Sequence, residues 1–198
     1  MLERLDQQLF LFLNSLNSQF CDQMMYAISG RLIWVPLYLA ILIFLGIKYK
    51  RKFLIILIFI ILAATLADQT SVIVKNFVHR LRPCQEPSIK TLVHLVNGEC
   101  GGLYSFVSSH AANTFDAALL SLLFIKRRWY TISILIWASV ISYSRIYLGV
   151  HYPGDVICGA LLGTLIGWGV YRLYVLTDNS ILKNKTYFYP AQNRPSTH

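Results

Sequence analysis

Residues 53–74 read FLIILIFIILAATLADQTSVIV, a run of 22 residues whose one charge is Asp68. A bilayer core about 30 Å thick is crossed by roughly 20 helical residues, so this stretch is long enough to span it. Apolar segments also cover 32–47, 108–125, 129–144 and 155–176. Backbone polar groups in lipid must be satisfied within their own segment, which makes each of these a helix. The expected fold is all-α, a polytopic membrane helix bundle of about five transmembrane helices. Composition points the same way. Hydrophobic residues make up 56% of the 198 and charged residues 14%, with a mean hydropathy of +0.52. Soluble domains carry about 25% charge, so an ordinary cytosolic globule and a disordered chain are both excluded. Four cysteines are too few for a disulfide-built secreted module.

Upstream, Leu2, Leu5, Leu9, Leu13 and Leu16 recur at helical spacing around the polar start Glu3, Arg4 and Asp6. Residues 2–20 therefore read as an amphipathic helix lying in the membrane interface. A signal peptide fits less well, because the start has no basic excess and the apolar core LFLFL is short. The chain reads as a single integral membrane domain, 1–198. The interfacial helix and its lead-in take 1–30, the bundle 32–176, and a polar, mobile cytoplasmic tail 177–198. The net charge of +9 does not signal nucleic acid, since the basic residues sit at segment ends rather than on one helix face. Eleven of the 18 Lys and Arg residues fall in three clusters, at 48–52, at 126–128 and from Arg172 onward. With five spans these clusters share one side, which the positive-inside rule assigns to the cytoplasm. The loops 79–107 and 144–155 then lie outside.

Those outer helix ends hold an unusual set of polar groups. Lys75, His79 and Arg82 recur at i, i+4 and i+7, one helical face, before Pro83 stops the helix. Ser108, Ser109 and His110 open the third segment, and Ser144 and Arg145 close the fourth. His151 precedes the fifth, which begins near Asp155 after Pro153-Gly154. Ionisable residues beside a membrane are costly, so each is a candidate functional group. Lys75, Arg82 and Arg145 can neutralise a phosphate, and the free N–H groups opening the third segment add an anion site. Two histidines can serve as nucleophile and proton donor, one of them oriented by a carboxylate. Such a set suits binding and cleaving a phosphate.

The same residues carry a resemblance. Lys75-NFVHRL-Arg82-Pro83 matches the KxxxxxxRP motif of the type 2 phosphatidic acid phosphatase family, part of the superfamily that includes the vanadium haloperoxidases. Val107-Ser108-Ser109-His110 resembles its PSGH motif, and Ser144-Arg145-IYLGV-His151-YPG-Asp155 matches its SRxxxxxHxxxD motif. The resemblance implies a bacterial membrane lipid phosphatase in which His151 attacks phosphorus and forms a phosphohistidine. Asp155 would orient His151, and His110 would protonate the leaving oxygen and then activate water. Lys75, Arg82, Ser108, Ser109 and Arg145 would hold the phosphate, with no metal and no cofactor. The implied substrate is a lipid phosphate or diphosphate: undecaprenyl diphosphate, a lipid A phosphate, phosphatidylglycerophosphate or phosphatidic acid. The implied location is the bacterial inner membrane, with the site on the extracytoplasmic side. Two other functions are compatible, a vanadium-dependent haloperoxidase and a non-catalytic lipid-phosphate binder or transporter. Val107 and Ser109 depart from the family's Pro and Gly. The second change matters most if that position needs a positive φ or a close backbone approach.

Other residues have plainer readings. His94, Arg80 and Lys90 read as decoration of the outer loop, and Asp68 and Asp116 as hydrogen-bonding groups between helices. Gly159, Gly163 and Gly167 recur every four residues and read as a close-packing face inside the bundle rather than a dimer face. Cys84 and Cys100 share the outer loop, either as a disulfide in an oxidising compartment or as two free thiols.

Overall fold

A computed structural model describes residues 2–187, with side chains as far as Asn179. Among these residues the fold is all-helical, apart from one isolated antiparallel bridge between Leu81 and Tyr104. The helices are α1 (Leu2–Ser15), α2 (Gln19–Ser29), α3 (Val35–Tyr49), α4 (Phe53–Val78), α5 (Ser109–Ile125), α6 (Arg128–Tyr147) and α7 (Pro153–Tyr187).

Three expected boundaries move. The single N-terminal helix is two, because the chain breaks before Ser18, whose hydroxyl caps α2 by accepting from the Cys21 N–H at 3.3 Å. The segment expected as a tail from 177 is helical through Tyr187, as a continuation of α7, and 188–198 lie outside the described residues. Helix α4 stops at Val78, four residues before Arg82, with His79 as a left-handed cap at φ 55°. Arg82 therefore does not share a helical face with Lys75 and reaches the site from the loop that follows.

Helix α5 is the centre of the bundle. Its Ala and Ser residues let α4, α6 and α7 approach closely, and Ala111, Ala112 and Ala118 are fully buried. The glycine stripe is the α5–α7 seam. A Cβ at Gly163 would run into the backbone of Ala112, and one at Gly159 would lie 2.5 Å from the Ser108 carbonyl oxygen. Asp68 does bond between helices, accepting from Asn113 Nδ2 at 3.2 Å. Asp116 does not. It is packed into the seam, where a Cβ at Gly167 would come within 2.8 Å of its Oδ1, and that oxygen is buried without a hydrogen-bond partner.

The two ends of the bundle differ in chemistry. At one end Lys48 Nζ donates to the carbonyls of Phe124 and Ile125 at 2.9 and 3.0 Å, and Lys52 pairs with Asp178 at 2.8 Å. The tight basic turns after α3 and α5 meet there. The 79–108 loop, the α6–α7 turn and helices α1 and α2 gather at the other end. Large apolar side chains such as Ile58, Ile61, Leu161 and Leu165 face outward. The stretches Leu32–Val78, which comprises α3 and α4, and Pro153–Asn179 are long and apolar enough to cross a membrane by length and composition. Helix α1 packs on the bundle through Phe10, edge-on to Tyr152 at 5.4 Å. Its buried Asn14 donates to the Tyr147 carbonyl at 2.8 Å and accepts from the His94 N–H at 2.7 Å.

Candidate active site

The start of α5 and the start of α7 are stitched together. Ser108 caps α5, its hydroxyl accepting from the Ala111 N–H, and its own N–H donates to the Asp155 carbonyl at 3.0 Å. Ser109 is the first helical residue and has no positive φ, so serine there strains nothing. Its hydroxyl bonds to Lys75 Nζ and lies 2.7 Å from that of Ser71. The residue in place of glycine thus ties the Lys75 ammonium to the open end of α5.

His151 is 2% exposed, and its backbone N–H donates to the Arg145 carbonyl at 3.2 Å. Its Nδ1 faces Asp155 Oδ2 at 3.5 Å, longer than a formed hydrogen bond. Burial lowers the His151 imidazole to about 4, with Arg82 and Arg145 adding to the shift and Asp155 opposing it. At neutral pH the ring is therefore uncharged and has a lone pair to give, as a nucleophile requires.

Asp155 is fully buried and compensated on both oxygens. Oδ2 accepts from the Tyr152 N–H at 2.9 Å, and Oδ1 accepts from Arg80 Nη1 at 2.8 Å. The other nitrogen of that guanidinium reaches Asp6 Oδ2 on α1 at 2.8 Å, and Asp6 Oδ1 accepts from the Gly154 N–H at 2.8 Å. Arg80 also lies over the Tyr152 ring at 3.9 Å. Burial works against its charge, but Asp155 and Asp6 more than offset this and hold the guanidinium above its ordinary range. Arg80 is not a loop ornament, contrary to expectation. The turn at His79 swings it inward onto a carboxylate that needs a cation. His94 does lie in the outer loop, where its Nε2 sits 3.0 Å from Asp22 and ties the loop to α2.

The remaining basic groups close around the two histidines. Arg82 donates through Nε to the Tyr104 carbonyl at 3.3 Å and through Nη1 to the Cys100 carbonyl at 3.0 Å. The loop that holds it is closed by a disulfide between Cys84 and Cys100, their Cα atoms 6.0 Å apart. Gly101, at φ 77°, lets the backbone lie against Arg82, where a Cβ would be 3.1 Å from Nη1. Arg145 Nη1 bonds to the Ser29 hydroxyl at the end of α2, and its Nε is buried without a partner. His110 lines a cavity of about 210 Å³ together with Ser29, Arg31, Trp34 and Tyr38. It lies within electrostatic reach of Arg145, Arg31, His151 and Arg82. His79 is elsewhere, edge-on to Tyr104 at 4.7 Å.

All eight residues expected from the sequence thus gather at one end of the bundle, in one neighbourhood of basic side chains, imidazoles and a helix N-terminus. Such a neighbourhood can hold a tetrahedral oxyanion. Residues 52–177, which carry all eight, match the PAP2 superfamily. The chain belongs to the PAP2 superfamily. Among its relatives, the lipid A 4'-phosphatase of Bacteroides thetaiotaomicron is 43% identical over 173 residues, 86% of this chain and 77% of that protein. The lipid A 4'-phosphatase of Porphyromonas gingivalis is 34% identical, over 86% of this chain and 73% of its own. The crystal structure of Aquifex aeolicus LpxE superposes with a TM-score of 0.66 at 28% identity, covering 83% of this chain and 93% of that one. A Bacillus subtilis PAP2-type phosphatidylglycerolphosphate phosphatase shares the fold at a TM-score of 0.68 and 22% identity, over 87% and 85% of the two chains. This PAP2 chain is an integral membrane protein. Asp6, Ser29 and Arg31, which close the site from α1, the end of α2 and the α2–α3 connection, fall outside the matched PAP2 residues.

Proposed function

We propose that this membrane lipid phosphatase removes the 4'-phosphate of lipid A, working at the extracytoplasmic face of a bacterial inner membrane. The observation that carries the substrate is the pair of lipid A 4'-phosphatases, 43% and 34% identical over 86% of the chain. That the relatives are phosphatases by name favours hydrolysis over the haloperoxidase and the non-catalytic alternatives.

With Nδ1 turned to Asp155, Nε2 of His151 is the nitrogen left for phosphorus. The Nε2–P bond forms as the P–O bond to the lipid breaks, and His110 gives its proton to the departing oxygen. His110 then takes a proton from water, which attacks the phosphohistidine. The P–N bond breaks and phosphate leaves. Lys75, Arg82, Arg145, the Ser108 hydroxyl and the Ser109 N–H hold the equatorial oxygens as charge builds there. Helices α3–α7 serve as five spans, with α1 and α2 lying at the outer interface. An outward-facing site is supported by the basic turns at the far end and by the Cys84–Cys100 bridge, which belongs in an oxidising compartment.

The substrate is tested by phosphate release from 1,4'-bisphosphorylated lipid A, undecaprenyl diphosphate, phosphatidylglycerophosphate and phosphatidic acid in matched mixed micelles. Lipid A is expected to lead the others by about tenfold or more in kcat/KM, with the 4' position cleared first. Faster release from undecaprenyl diphosphate would reassign the substrate. Sidedness is tested separately by thiol labelling of intact cells. Cysteine at the exposed Lys90 is expected to react with an impermeant reagent, and cysteine at Lys50 only after permeabilisation. The reverse pattern would invert the topology.

A further inference from the structure

The PAP2 match begins at residue 52, but the carboxylate behind His151 is held in part from α1. Asp155, Arg80 and Asp6 form a continuous ionic chain, each link 2.8 Å long, and the far end of that chain closes on the Gly154 N–H at 2.8 Å. The chain is shielded from water. Asp155 is fully buried, and the side chains of Arg80 and Asp6 are 19% and 17% exposed. The Arg80 guanidinium cannot rotate freely, because the Tyr152 ring lies beneath it and a carboxylate sits at each end. Asp6 fixes both Arg80 and the backbone one residue before Asp155, so α1 grips the Asp155 turn at two points.

We propose that Arg80, clamped by Asp6, is a positioning residue that sets the orientation and effective charge of Asp155 behind His151, which makes α1 a working part of the active site. This rests on the reading of His151 and Asp155 as the reacting pair. An isolated buried carboxylate pulls strongly on the proton of its histidine. A carboxylate shared with a guanidinium pulls less, and the imidazole stays a neutral nucleophile. Asp6 moderates that sharing, since it draws Arg80 away from Asp155. The two residues therefore act on His151 with opposite sign. The other groups facing His151 are Arg82 from the loop after α4, Arg145 on α6 and His110 on α5, with Lys75 of α4 coupled to Asp155 behind them. None of these is altered by substitution at 6 or 80.

The test is the pH dependence of phosphate release from 1,4'-bisphosphorylated lipid A by the full chain in mixed micelles. Arg80→Gln is expected to lower kcat by about tenfold with KM changed less than about twofold. It should also move the acid limb of kcat/KM up by about one pH unit, because an unshared Asp155 makes His151 easier to protonate. Asp6→Asn is expected to move that limb down, and Arg80→Lys to restore most of kcat. A simple anchor for α1 predicts otherwise: kcat falling in step with Tm, with both limbs unmoved or displaced together. That result would overturn the proposal. If Arg80→Gln fails to fold, Asp6→Asn carries the decision alone: a limb moved down with Tm unchanged supports the proposal, and an unmoved limb overturns it. His151→Ala, measured alongside, separates the two readings. Activity in that variant would remove the nucleophile itself, whereas a dead His151→Ala with unmoved limbs would remove only the role of Arg80.

Discussion

Replacing His151 with alanine is expected to cut phosphate release by about four orders of magnitude or more while the chain stays folded. The loss is large because the imidazole is asked to form the covalent bond, and no other described side chain is braced in the same way. Its Nδ1 faces a fully buried carboxylate and its backbone is pinned to the end of α6. The fold survives because Asp155 keeps its bonds to Arg80 and to the Tyr152 N–H, so no buried charge is orphaned. Thermal melting of the purified variant checks the second half of the statement. The first half is checked by phosphate release, together with acid-labile phosphate on the quenched wild-type enzyme, which should disappear in the variant. Retained turnover in a folded His151→Ala protein would remove the nucleophile.

The parts of the site that were legible in the sequence are those fixed by short-range geometry. His151 and Asp155 are four residues apart across the start of α7, and Ser108, Ser109 and His110 are consecutive at the start of α5, so the ends of the apolar segments and the motif resemblance together placed them. The helices were legible because an apolar segment in lipid has one way to satisfy its backbone. What was missed depends on chain reversals that hydrophobic pattern does not encode. The left-handed cap at His79 ends α4 early, breaks the supposed Lys75–His79–Arg82 face and turns Arg80 inward. Asp6 lies 149 residues before Asp155 in a helix whose apolar pattern suggested only a surface role. The available signal was weaker: a carboxylate on the inner edge of α1 and an arginine at a variable position inside the family motif, in a site whose buried carboxylate would need a counter-ion. Ser29 and Arg31 carried no signal at all, because nothing in their local sequence reveals that the end of α2 folds back over Arg145.

The second large effect is expected at His110, and it depends on the leaving group. With lipid A, His110→Asn should lower kcat by about a thousandfold, since an alkoxide departing without a proton is a poor leaving group. With p-nitrophenyl phosphate the departing phenolate needs no proton, so attack by His151 should recover. Water must still be activated to clear the phosphohistidine, and the proposed mechanism gives that task to His110 as well. The variant should therefore release one equivalent of nitrophenolate quickly and then stall, with phosphate trapped on His151. Rapid mixing reads the burst, and acid-labile phosphate on the quenched protein reads the trapped intermediate. His110 is well placed to serve both steps because it lines the cavity between α3, α5 and α6 while lying within electrostatic reach of Arg145 and His151. In the proposed mechanism the alcohol departs and the water arrives on the side of the phosphorus opposite the His151 nitrogen. An equal loss on both substrates without a burst would mean that His110 only helps to bind phosphate, and the proton would have to come from another group.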